Sequence, residues 1–287
     1  MSRRASFSLG RALRDAAAFL PAAWGGAWLS LILFWAVDSF APIYLLKAAH
    51  WPLEHVALLV AAGAAKLVLV AALYRIALFG KAARKEGLGL GGVQFGLPEV
   101  RLLGAGIVVG LFMLMIAATL AIVFFIAFNL SGMGDGYRNT LEAVRAVCHR
   151  QTGYADWLFI GYGVASALLL VFLAVKFALF HAATVAERRM VTLNALGLSS
   201  GNAGRLFTGL CVVALPVVLA AAVFHLMHRH FVLSPRAPAF DTPHMPHLIL
   251  HGILLAVAAV LVLPLAAGFL SSAYRQVVAE RAGALND

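Results

Sequence analysis

Apolar runs of helical length recur along the chain, separated by short polar or glycine-rich stretches; they cover residues 22–46, 53–79, 102–130, 157–180, 206–227 and 247–273. At about 1.5 Å of rise per residue, each can cross a hydrocarbon core of about 30 Å. The apolar/polar alternation that a β-barrel requires is absent, whereas a helix satisfies its own backbone in lipid. The pattern therefore predicts an all-α, polytopic membrane protein of six transmembrane helices in a single integral membrane domain. The basic start "MSRRASFSLGRALRDAAAFLPAAW" runs past any small-residue cleavage site into the first span, so it reads as a retained helix. Arg11 and Arg14 recur on one side before residue 22, which suggests a segment lying along the lipid headgroups.

Composition agrees with the pattern. The 287 residues are 63% hydrophobic and 12% charged, which excludes an ordinary soluble domain. The net charge of +10 is unevenly distributed. With the N-terminus inside, 14 of the 22 Lys and Arg residues fall in inner segments and 6 in outer ones. That bias places both termini in the cytoplasm. The positive charge then meets anionic lipids of the inner leaflet. There is no soluble aromatic-basic domain to bind nucleic acid. Cys148 and Cys211 fall at different depths and are too far apart to bridge.

The inner ends of the even-numbered spans resemble one another: "LYRIALFGKAARKE", "AVKFALFHAATVAE" and "SAYRQVVAERAG". Alignment puts Arg75, Lys176 and Arg275 in register as inner-face basic anchors, and "LGL" recurs at Leu88–Leu90 and Leu196–Leu198. This suggests three tandem helical hairpins, roughly residues 1–86, 87–194 and 195–287. The carboxylates at helix ends have capping or solvated roles by default, and "GLGLGG" at Gly87–Gly92 reads as a flexible inner loop, lacking the Lys-Ser/Thr of a phosphate loop. "YRNTLEAVRAVCHR" has the spacing of a short amphipathic helix on the outer side.

The segment "KFALFHAATVAERRMVTLNALGLSSGNAGRLF", Lys176–Phe207, resembles bacterial six-helix membrane proteins similar to the membrane domain of glycerophosphoryl diester phosphodiesterases. Ala182–Glu187 stands where that family has a "patVAE" type turn, and Leu198–Gly201 where it has "lTrG", with "SSG" in place of the threonine form. The resemblance covers about thirty residues well and implies a bacterial inner-membrane location. It implies little chemistry, since the family's membrane domain is separate from its hydrolase.

Two sets of polar residues stand out within this apolar frame. Asp38 and Lys66 lie inside neighbouring antiparallel spans at depths a lysine side chain can bridge, predicting a buried ion pair, read more readily as a structural clamp than as a coupling site. Nine of the ten histidines fall on the outer side, and within "HLMHRH" and "HMPHLILH" the pairs His225/His228 and His247/His251 share helical faces. Those four imidazoles can converge on a transition metal or on haem iron, or act as a pH sensor; the competing reading is an interfacial belt of amphipathic side chains. Neither a GxSxG elbow nor an HExxH pair occurs. Non-catalytic roles follow as the expectation: scaffold, accessory subunit or assembly factor of a larger membrane protein complex, or a part in lipid homeostasis. A small-solute, lipid or metal transporter with an outer histidine site is the alternative.

Overall fold

The computed structural model describes residues 7–47, 52–132, 153–231 and 245–283, with positions 142, 144 and 146 between. These residues form helices and turns and no strand, and six of the helical stretches are long and apolar enough to cross a membrane. The protein is an all-α, multi-pass membrane protein. Its elements are α1 (Leu9–Lys47), α2 (Pro52–Phe79), α3 (Leu97–Leu130), α4 (Tyr154–Phe177), the short α5 (Phe180–Glu187) and α6 (Ala195–Leu198), α7 (Ala203–Phe231), α8 (Met245–Val257) and α9 (Leu263–Gly283). A π turn at Ala258–Val262 joins α8 to α9 as one span.

Consecutive spans pack in pairs, α1 with α2, α3 with α4, and α7 with α8–α9. The pairs are not equivalent in space. α1 is clasped between α2 and α9, and this trio is the centre of the bundle. In the hydrophobic windows of the first, second and sixth spans, 28%, 33% and 33% of residues are buried, against 6% in the third and fourth. The α3–α4 pair stands at the edge and is held to itself by aromatic packing of Phe124, Phe128 and Phe159 and by the Tyr162 hydroxyl donating to the Leu120 carbonyl at 2.8 Å.

The N-terminal part of α1 packs on one side and is charged on the other. Helix begins at Leu9, and Ala12, Ala16, Ala23 and Ala27 form a fully buried seam while Arg11 and Arg14 are exposed. Small residues let helix backbones approach closely where lipid tails compete for apolar contact. At Gly268 of α9 a Cβ would lie only 3.0 Å from the Ala16 Cα. The polar residues that obscure this helix in the sequence are satisfied laterally: Ser272 donates to Asp15 at 2.6 Å, and Gln276 accepts the Ser8 N–H at 2.9 Å.

Halfway along, α1 breaks at Ala27, whose backbone (φ −121°, ψ 18°) is not helical. The Gly87–Gly92 stretch is not a free loop. Its end packs into the break, where Gly92 has φ +83° and a Cβ would sit 2.9 Å from the Ala27 Cα and 3.1 Å from the Ala72 Cβ. Only glycine combines that left-handed conformation with so close an approach. A second irregularity has a local cause. Pro264 has no N–H to offer the carbonyl four residues earlier, that of Val260, and the π turn precedes it. The Trp24 indole N–H supplies the missing donor at 2.8 Å, and Trp35 similarly reaches the Gly252 carbonyl at 3.1 Å.

Candidate functional site

Lys66 occupies the midpoint of α2, with its side chain exposed on the flank of the bundle. It forms one wall of a cavity of about 310 Å³ between α2, the α4–α5 bend and α9. The other walls are apolar side chains, among them Phe177, Leu263 and Leu270, with Tyr74 and His181 stacked face to face at a ring separation of 5.7 Å. The bend itself exposes this chemistry: the chain leaves α4 at Phe177 and re-enters helix at Phe180, placing His181 on the cavity. No hydrogen bond or ion pair joins Lys66 to another described residue.

The predicted Asp38–Lys66 pair is therefore not formed. Asp38 lies within electrostatic range of both Lys66 and His251 but contacts Lys66 at no ion-pairing distance. Its backbone carbonyl instead meets His251 Nε2 at 3.3 Å. A carbonyl only accepts, so that nitrogen carries the proton. Spacing along the two spans does not determine how α1 rotates about its axis beyond the Ala27 break.

For the four outer histidines, the structure describes the side chains of two. His225 is exposed, and the Nε2 of His251 is committed to Asp38. The side chains of His228 and His247 lie outside the described residues, as do residues 137–141, Cys148 and most of the segment between. Among the described residues no group of three or more His, Cys, Asp or Glu side chains is disposed to hold a metal. Of the "YRNTLEAVRAVCHR" segment, Val144 packs against Phe128.

At the opposite, basic end of the bundle, the three register-equivalent basic residues have three different fates. Arg75 does not snorkel. It is 1% exposed, forms an ion pair with the equally buried Glu99, and also donates to the Gly87 carbonyl at 3.3 Å. Lys176 lies over the Phe172 ring, 5.6 Å from its centroid, and Arg275 is exposed, as a headgroup anchor requires. Glu99 also accepts the Gly96 N–H at 2.8 Å, so one carboxylate starts α3 and neutralises α2.

Sequence reasoning passed over Glu187, which accepts from Tyr274 at 3.2 Å and pairs with Arg189, tying α5 to α9. Its position in the "VAE" turn was the available signal. Next to it Arg188, in left-handed conformation (φ 51°), pairs with Glu86 and receives Arg101 on its carbonyl. The polar contacts at this end are thus a lattice of helix-end clamps, and the cavity at Lys66 is where a charge meets an apolar wall.

Compared with protein-family models, with curated proteins and with solved structures, the chain finds no match in any of the three.

Proposed function

We propose that this protein is a non-catalytic scaffold or accessory subunit of a bacterial inner-membrane complex, with both termini in the cytoplasm, and that it docks on its partner through the α3–α4 pair. The observation that carries this reading is the asymmetry of burial: two adjacent spans that bury 6% of their hydrophobic windows border a core whose other members bury up to five times more. α3 also carries Gly106, half-buried, and Gly110, exposed, one helical turn apart, each with open space where a Cβ would stand. Such a spacing lets a foreign helix approach closely, where van der Waals packing between backbones replaces the hydrophobic effect as the driving force. The basic end favours anionic lipid around the complex.

Site-specific photo-crosslinking in native membranes tests this. A crosslinker at Ile107 or Leu111, both exposed, is expected to give one discrete adduct with a second protein; at Val109, 7% exposed, it should give none. A smear indistinguishable from lipid labelling at all three positions would defeat the docking reading.

A lipid-handling role is the second reading, favoured by the Lys66 cavity and in keeping with the likeness of Lys176–Phe207 to the phosphodiesterase-linked membrane domain. Both readings are compatible with one protein, since an accessory subunit can carry a lipid site of its own.

A further inference from the structure

We infer that the cavity between α2, the α4–α5 bend and α9 binds a single-chain anionic amphiphile of the fatty-acid type, with its carboxylate on the Lys66 ammonium and its chain against Phe177, Leu263 and Leu270. This goes beyond the docking role and does not depend on it, because the cavity lining shares no residue with the Gly106–Gly110 ridge or with Ile107 and Leu111.

Charge complementarity selects the occupant. An ammonium group at mid-membrane costs several kcal/mol unless it is paired or hydrated. Lys66 has no partner among the described residues, and Asp38, the carboxylate within electrostatic range, does not touch it. An anion delivered by a ligand supplies the missing charge. The rest of the lining decides what that anion is attached to. Apart from Lys66 the polar groups are the stacked Tyr74 and His181, and the remaining walls are apolar, which suits a hydrocarbon chain and not a sugar or nucleotide. At about 310 Å³ the volume is near the lower end of small-molecule sites. That admits a compact carboxylate with one chain, and excludes enclosure of a two-chain glycerophospholipid with its headgroup.

Equilibrium binding of radiolabelled palmitate to the full-length protein in a neutral maltoside detergent tests the assignment, with hexadecanol as the uncharged probe of equal chain length. Saturable palmitate binding is expected, weakened by roughly tenfold or more in Lys66→Met, a change equivalent to about 1.4 kcal/mol. Lys66→Arg should retain binding. Val70→Phe, which fills the cavity with Lys66 intact, should abolish it, while Lys85→Met at the basic end should bind as wild type and hexadecanol should show no saturable binding. Palmitate binding unchanged in monodisperse Lys66→Met, or hexadecanol binding equal to palmitate, would overturn the inference. If Lys66→Met does not fold, Val70→Phe decides alone: binding as wild type overturns it.

Discussion

Arg75 and Glu99 form an ion pair in which both side chains are almost completely buried, 2% and 1% exposed, at the junction of α2 and α3. The pair also fixes backbone: Arg75 donates to the Gly87 carbonyl and Glu99 receives the Gly96 N–H, so both ends of the glycine-rich connection are held. Removing one partner leaves the other charge buried and unpaired, which costs about 3–5 kcal/mol. Arg75→Met and Glu99→Leu are each expected to lower the thermal midpoint of the purified protein sharply, whereas the double variant should recover much of the loss. Additive losses in this double-mutant cycle would show that the two residues act separately.

Gly92 wedges the same connection into the break of α1. Gly92→Ala should destabilise by about 1–2 kcal/mol for the left-handed backbone, with a further penalty of about 1–3 kcal/mol for overpacking against Ala27. Gly80 provides the comparison, since it also has positive φ (+53°) but open space around a Cβ. Gly80→Ala should therefore cost the backbone part alone. Equal midpoints for the two variants would remove the close approach from the explanation.

The Trp24 indole exists in this fold to serve a carbonyl that Pro264 cannot. Trp24→Phe should cost about 1 kcal/mol in stability, the usual net value of a hydrogen bond. Pro264→Ala restores an N–H to the helix, so Trp24→Phe should be less damaging in that background. Thermal unfolding of the two singles and the double measures the coupling, and independence of the two sites would contradict the role assigned to Trp24.

These contacts show which parts of the molecule could be read from the chain. The spans were legible because burial in lipid demands long apolar runs whatever the tertiary fold, and the basic bias at one end followed from the same constraint. The N-terminal half of α1 was not, because Arg11, Arg14 and Asp15 dilute its hydropathy while the residue that satisfies Asp15 is Ser272, 257 positions away. Arg75 was visible as a helix-end base, yet its partner lies on the next helix and nothing in local spacing separates a buried Arg75 from an exposed Arg275. The Lys66 site was half legible: the charge announced itself, but the cavity needs the α4–α5 bend to bring His181 alongside Tyr74. Asp38 and Lys66 could be matched in the sequence by distance along their spans alone, which does not determine the direction a side chain takes around its helix.

Topology follows from the same charge bias. A fluorescent protein fused after residue 287 should fluoresce in a bacterial host, and alkaline phosphatase fused there should be inactive. Phosphatase fused near residue 240, between the fifth and sixth spans, should be active. The reverse pattern would invert the orientation and place Arg75 and its neighbours outside.

The proposal that the α3–α4 pair is a docking face is tested most directly by the size of the protein extracted gently from native membranes, compared between wild type and a Gly106→Leu/Gly110→Leu variant. Wild type is expected to migrate in a complex well above a detergent-bound monomer of 30.4 kDa, and the variant to migrate as that monomer with an unchanged thermal midpoint. Wild type and variant running alike as monomers would contradict it.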